Sequence, residues 1–236
     1  MPSVTVIMPT LELATPVTDR LAQALQAAQS VARVMLISNV RQDSYSSRYS
    51  CHDKVHVVSH MPNLMVNPAW NYGMSVCDTK YYLLLNDDLV LQGGVIDGIT
   101  KVLDARDDLN LFTVRTVVDY DLERIDRRIA SEPNLEKIDF DIRQYPDGVK
   151  QGWFMLGRTD RWSRIEVDRS RNRCFVMGGD DFIYRQNQLR HHGVGFVKNS
   201  TIYHCESSSV HAQSDRPDEV QRISKPFDPS LITDYV

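Results

Sequence analysis

Two acidic clusters and one histidine are the residues of this sequence best suited to chemistry. The apolar run Tyr81-Tyr82-Leu83-Leu84-Leu85 ends abruptly in Asn86-Asp87-Asp88, then resumes as Leu89-Val90-Leu91. Three oxygen-bearing side chains at the end of a strand suit a hard divalent cation such as Mg²⁺ or Mn²⁺. Such a cation could neutralise a diphosphate as it departs. The other reading is an acidic turn that only ends the strand and caps a helix. The second cluster, Met177-Gly178-Gly179-Asp180-Asp181-Phe182, opens a helix expected over Asp180–His192 and stopped by Gly193. A helix N-terminus favours an ionised carboxylate, whereas a neighbouring acid raises its pKa, so this pair could supply a general base. Two acids that merely satisfy a helix start are the alternative. His204 is either structural or a metal ligand. His191 and His192 are adjacent on a helix, point to different faces and make poor joint ligands.

The elements that must position these groups alternate between two hydrophobic periods. Val4–Met8 is a β-branched run ended by Pro9, hence a buried strand. Thr15-Pro16 gives an N-cap followed by proline, and Val17, Leu21, Ala24, Leu25, Ala28, Val31 and Ala32 repeat at helical spacing. Strands are expected at Val34–Ser38, Lys54–Ser59, Lys80–Leu85 and Asn110–Val117. Helices are expected after Asn67-Pro68 and around Val95–Leu103. This order predicts an α/β domain with a largely parallel sheet, and strands apolar throughout fit burial on both faces. Residues 119–150, with mixed charge and weak periodicity, predict an excursion over one face of the sheet. Val194–Tyr203 reads as a hairpin or two short strands. Residues 1–206 are expected to form one domain and 207–236 a polar C-terminal tail.

Composition removes several classes. Net charge is −4, from 27 basic against 31 acidic residues, which does not indicate a general nucleic-acid or membrane-surface binder. No apolar run approaches the ~20 residues of a membrane span, and Met1-Pro2-Ser3 does not read as a signal peptide. Cys51, Cys77, Cys174 and Cys205 stand far apart, favouring reduced thiols and a cytoplasmic location, with peripheral membrane attachment as an alternative. The first glycine is Gly73, so the first strand-to-helix turn, Pro9-Thr10-Leu11-Glu12-Leu13-Ala14, contains none. Dinucleotide-binding and P-loop folds need glycine there for the backbone to approach phosphate. A Rossmann dehydrogenase, a P-loop NTPase and a sugar-phosphate nucleotidyltransferase are disfavoured on that ground.

From Ser3 to about Glu206 the chain resembles the family-2 inverting glycosyltransferases of the GT-A fold. Val4–Thr10 is similar to their first strand ending in proline and a small polar residue. Asn63 through Gly73, followed by a strand and Asn86-Asp87-Asp88, is similar to their asparagine-bearing helix, strand and D-x-D motif, with Asn86 in place of the first aspartate. Gly178-Gly179-Asp180-Asp181 resembles their G-G-E-D motif. The resemblance implies a GT-A (nucleotide-diphospho-sugar transferase) sandwich with a central, mostly parallel sheet. It implies a donor site lined by Pro9, Thr10, Glu12, Asn39, Asn63, Asn71, Asn86 and Asp87, with Asp87 more structural than ligating. Asp88 and His204 would hold Mn²⁺ or Mg²⁺. Asp181 would be the catalytic base and Asp180 its partner, with the reverse assignment open. Gly179 and Trp153, on an expected strand at Val149–Gly157, would face the acceptor. Trp153 reads equally as a sugar-stacking platform or as core.

The implied activity is transfer of one sugar from a nucleotide-diphosphate donor (UDP, dTDP or GDP) to an acceptor hydroxyl. The Q-x-x-R-W motif of processive synthases is missing, which predicts single addition. The acceptor, whether glycan, lipid-linked glycan, protein or small molecule, stays open. Arg158, Arg161, Arg164, Arg169, Arg171 and Arg173 read as a solvated loop or as a patch for an anionic acceptor, and a nucleic-acid acceptor is not excluded. A catalytically silent nucleotide- or glycan-binding module of the same fold is the rival reading.

Overall fold

The computed structural model describes residues 1–12, 15–41, 48–49, 52–59, 62–132, 135–143, 152–167, 175–176, 178–205 and 217–227. In chain order the elements are β1 (Val4–Thr10), α1 (Thr15–Ala27), β2 (Val31–Ser38), β3 (Val55–Val58), α2 (Asn67–Ser75) and β4 (Tyr81–Leu85). Then come β5 (Leu89–Leu91), α3 (Val95–Ala105), β6 (Leu109–Val118), α4 (Leu122–Ser131), β7 (Phe140–Arg143) and β8 (Phe154–Arg158). A 3-10 turn at Thr159–Arg161, α5 (Gly179–Leu189), β9 (Gly193–His204) and α6 (Pro217–Ile223) complete the order.

The strands form one nine-stranded sheet in the order β3-β2-β1-β4-β8-β6-β9-β5, with β7 also on β9. Six of the nine (β1, β2, β3, β4, β6 and β9) run in one direction, so the sheet is mostly parallel, as the sequence predicts. The chain adds β2 and β3 on one side of β1, then crosses through α2 to place β4 on the other. That reversal opens a crevice at the carboxyl ends of β1 and β4, the usual ligand position of an open α/β sheet.

Alternation explains why the central strands are apolar throughout. Tyr81, Leu83 and Leu85 of β4 join Val4, Val6 and Met8 of β1 in a layer with Leu21 and Leu25 of α1 and Ile96 and Ile99 of α3. Tyr82 and Leu84 join Ile7 in the opposite layer, against Trp70 and Met74 of α2 and Ile183 and Tyr184 of α5. Each large apolar side chain fully buried this way contributes about 1.5–3 kcal/mol.

Several boundaries differ from the sequence expectation. Helix α1 stops at Ala27 and β2 already begins at Val31. The turn between them is held by Asp97, whose carboxylate accepts from the Gln29 (3.1 Å) and Ser30 (2.7 Å) amides. The cap of α2 is Val66, not Asn67, and Asn67 is already helical. Helix α5 ends at Leu189 because His191 takes a left-handed φ of 55°, before Gly193 is reached. The expected hairpin at 194–203 is the single strand β9. Its polar Lys198-Asn199-Ser200 is a slip in register against β6, where Val114 pairs Val197 and Arg115 pairs Thr201. The excursion 119–150 contains α4 and β7, and α4 buries Ile125 beside Val17, Val90, Tyr203 and Cys205. Residues 217–227, inside the stretch read as a tail, form α6 and return to the sheet, where Ser224 bridges Val40. Among the described residues no helix is long and apolar enough to cross a membrane.

Arg158 is 6% exposed and lies at the sheet end opposite the crevice, paired with Tyr81. Its guanidinium donates to the carbonyls of Leu109 (3.1 Å), Leu103 and Arg106 (3.2 Å) and to Asp107 Oδ1 (3.2 Å). It thereby satisfies the terminal carbonyls of α3, which have no intrahelical partner. Arg161 donates to the carbonyls of Asp107 (2.8 Å) and Leu109 (3.3 Å). These two arginines serve the backbone, while Arg169, Arg171 and Arg173 lie outside the described residues. Arg158→Met should strand several buried carbonyls and lower unfolding free energy by about 2–4 kcal/mol, read from urea denaturation.

Candidate active site

The crevice gathers most of the candidate residues. Thr10, the last residue of β1, donates from Oγ1 to Asp87 Oδ2 at 2.5 Å, and Thr18 Oγ1 of α1 donates to the Asp87 carbonyl at 2.9 Å. Asp87 therefore fastens the end of β4 to β1 and α1. Desolvation, then the adjacent Asp88 carboxylate, raises the Asp87 pKa to about 7. Glu12, next to buried Pro9 and Thr10, has a φ of 60° and donates its amide to Thr10 Oγ1 at 3.0 Å.

Asp88 and His204 are brought together. Each is at most 3% exposed, and Asp88 Oδ2 lies 3.0 Å from His204 Nε2. Strand pairing causes the meeting. Leu89 stands opposite His204, and the Cys205 amide donates to the Asp88 carbonyl at 2.9 Å. The two side chains touch without hydrogen-bond alignment, and among the described residues Asp88 Oδ1 and both His204 ring nitrogens have no hydrogen-bond partner. Their 3.0 Å separation is compatible with two neighbouring positions on an octahedral ion, whose ligands at about 2.1 Å stand roughly 3 Å apart. Among the described residues no group of three or more His, Cys, Asp or Glu could hold a metal.

The second acidic cluster reaches the first through β8 and the residues before it. Trp153 stacks on His204, with ring centroids 4.6 Å apart and planes at 16°. The Trp153 carbonyl accepts from the Asn86 amide at 3.2 Å. Gly152, one residue earlier, lies so near Asp180 that a Cβ there would stand 2.7 Å from Asp180 Oδ2. Gly178 caps α5 at a φ of 80°, a conformation glycine adopts freely. Gly179 lies against Asn67, where a side-chain carbon would approach to 2.2 Å. The glycine pair thus seats α5 tightly on the start of α2 and presents Asp180 toward Gly152. Asp180 is half-buried, and desolvation raises its pKa, whereas Asp181 is exposed.

Three asparagines expected at the donor have other partners. Asn39 accepts from the Leu64 amide (3.0 Å) and donates to the Met65 carbonyl (3.2 Å). Asn63 Oδ1 accepts from the Met65 amide at 2.9 Å, in a turn where Met65 has a φ of 58°. Asn71 exchanges two 2.9 Å bonds with the Ile165 backbone. All three are at most 5% exposed and act as buried peptide-like connectors. Sequence reading did not connect Gly152 to Asp180 and missed Asp119. Asp119 has its signal in the spacing of Leu122, Ile125 and Ile129, which marks the helix it precedes.

No protein-family model matches the chain, and no curated protein matches it by sequence. Its fold does match solved structures. The S. aureus TarS 1–349 structure superposes at a TM-score of 0.61 with 10% identity, over 85% of this chain and 60% of TarS. The same protein in complex with UDP-GlcNAc gives 0.59 and 12%, over 87% and 61%. GalNAc-T7 with UDP, GalNAc and Mn²⁺ gives 0.63 and 10%, over 86% of this chain and 43% of that one. The chain thus spans about 60% of the TarS structure and less than half of GalNAc-T7. The likeness establishes the fold, a GT-A α/β sandwich.

Asp119 secures the strand end that carries His204. Its amide donates to the His204 carbonyl at 3.1 Å, and its carboxylate accepts from Arg124 Nε at 2.9 Å, with Arg128 3.8 Å away. The Arg124 hydrogen bonds, then the Asp121 amide, lower its pKa to about 2. A depressed carboxylate stabilises the fold fully above its unfolded pKa of about 3.9 and loses that contribution as pH falls through the folded value. Asp119→Asn should therefore be less stable than wild type at pH 7. Urea midpoints should converge as pH drops from about 4 toward 2.

Proposed function

We propose that this chain is an inverting glycosyltransferase that moves one sugar from a nucleoside-diphosphate donor to an acceptor hydroxyl. The observation that carries the reading is the run of contacts Asp88–His204–Trp153, continued through Gly152 to Asp180. It joins a two-ligand cation set to a desolvated carboxylate at the mouth of the crevice. UDP and UDP-GlcNAc in the TarS complexes, and UDP in GalNAc-T7, favour a uridine nucleotide as donor over dTDP or GDP. The Mn²⁺ in GalNAc-T7 agrees with a divalent cation.

In this reading the catalytic domain covers 1–206, and Asp88 and His204 hold Mn²⁺ or Mg²⁺. When bound, the cation offsets the charge of the leaving diphosphate. Thr10 and Asp87 fix the floor on which the donor lies. Asp180 takes the proton of the acceptor hydroxyl as that oxygen attacks the anomeric carbon from the face opposite the diphosphate. Asp180 suits that role better than Asp181, because partial burial raises its pKa toward working pH and Gly152 fixes its position. Asp181, on the exposed side of the same turn, contributes charge at the helix start. Trp153 orients His204 with one ring face and leaves its edge for the acceptor side.

A thermal-shift panel of UDP, dTDP and GDP sugars, with and without Mn²⁺, tests the class. A UDP-sugar with Mn²⁺ should raise Tm, by the equivalent of about 2.7 kcal/mol at a hundredfold excess over Kd. The reading is lost if no nucleotide stabilises the fold under either condition. Donor hydrolysis tests the base: Asp180→Asn should slow it by about 10²–10⁴ with UDP binding retained, and Asp181→Asn by less than about tenfold. Equal losses, or the larger loss at Asp181, would reverse the assignment. Donor binding with no turnover across plausible acceptors would instead identify a silent binding module.

A further inference from the structure

Residues 223–227 run across the carboxyl ends of β2 and β3. Ser224 bridges Val40 in antiparallel fashion, the Arg41 amide donates to the Ile223 carbonyl at 2.7 Å, and the Lys225 amide donates to the Asn39 carbonyl at 2.8 Å. Lys225 Nζ then donates to the Ser38 carbonyl at 2.6 Å and to the Ser59 carbonyl. Those carbonyls stand just past the last β2–β3 pair, Ile37 and Val58, at the ends of two adjacent parallel strands. One ammonium tied to both fixes their spacing.

The same segment reaches the other wall. The Asn63 amide donates to the Pro226 carbonyl at 3.4 Å, and the Phe227 ring meets Phe175 edge-on at 4.9 Å. Phe175 in turn accepts through its carbonyl from the amides of Val66 (3.0 Å) and Asn67 (2.8 Å) at the start of α2. Asn39 completes the loop from β2 to residues 64–65. Five residues near the end of the described chain thus connect β2, β3 and the segment leading into α2. These surround the side of the crevice next to Thr10 and away from Asp88 and His204.

We infer that the 223–227 segment, pinned by Lys225, is a positioning element for the nucleoside end of the donor site, which rests on the reading proposed above. A nucleoside entering beside Thr10 meets walls made by the ends of β1 and β2 and by residues 63–67. The β1–β2 ladder runs out to Thr10 and Ser38, whereas residues 63–67 lie outside it and must be tied to the sheet by other contacts. The strap supplies the missing connections, so the donor meets a site already in shape and loses less ordering free energy on binding. Asp88 and His204 are held by β5–β9 pairing that the strap does not enter, so the cation end of the site is set elsewhere.

The test uses the full chain with UDP and Mn²⁺ as the probe, and UDP-GlcNAc hydrolysis for kinetics. Lys225→Met, which keeps length and removes the donors, should weaken UDP binding and raise donor KM by about tenfold while kcat stays within about twofold. Lys225→Arg, which can still bridge two carbonyls, should restore most of the affinity. A lower Tm with unchanged Kd and KM would make the strap a stability device only and overturn the inference. So would a loss confined to kcat. Should Lys225→Met not fold, Phe227→Leu leaves the ammonium in place and should still raise Kd by about threefold. An unchanged Kd there overturns the inference as well. Wild type that binds no UDP refutes the glycosyltransferase reading itself, and this inference with it. Wild type that binds, with variants indistinguishable from it, refutes only the strap.

Discussion

A strand buried on both faces has no place for charge along its length, and that constraint governs the site. The β1–β4 pair is covered by α1 and α3 on one side and by α2 and α5 on the other. Unpaired charge within it would cost several kcal/mol. Polar function is therefore confined to the strand ends, and the order of the strands decides which end. Because the chain reverses direction of growth between β1 and β4, the crevice opens at their carboxyl ends. Thr10 and Asn86-Asp87-Asp88 occupy those ends.

Within that crevice the three residues after β4 divide the labour. Asp87 turns toward Thr10 and works on the architecture, while Asp88 turns toward β9 and meets His204. The bend at Asp87-Asp88 thus sends one side chain to the β1 and α1 wall and the next toward β9. The raised pKa of Asp87 follows from the same placement. Burial, and then the adjacent Asp88 carboxylate, disfavour its ionised form.

Much of this was legible in the sequence because it is local. Val4–Thr10, Tyr81–Leu85 and the helical spacing of Val95–Leu103 announce their elements, and the acidic runs stand out as breaks in apolar segments. The pairing of Asp88 with His204 was legible only through the family resemblance, since 116 positions separate them. What stayed hidden depends on backbone groups that no residue pattern reports. Arg158 resembles a solvated arginine in sequence, yet it ends α3 through main-chain carbonyls. Asn39, Asn63 and Asn71 read as donor contacts, and the backbone bonds that each makes in the structure have no sequence signal. Lys225 sits in a polar, proline-containing stretch whose composition gives no hint of its carbonyl partners.

The two acids of α5 illustrate how packing separates residues that sequence treats as equivalent. Both lie in the first turn and both gain from the helix N-terminus. Successive helical residues are rotated by about 100°, so one that faces the body leaves the next facing water. Gly152 makes the choice, since only a residue without a side chain lets Asp180 lie against that loop. Desolvation there raises the affinity of Asp180 for a proton, the property a general base needs. Gly152, which sequence reading did not connect to Asp180, thus distinguishes the surroundings of two aspartates that the motif alone leaves interchangeable.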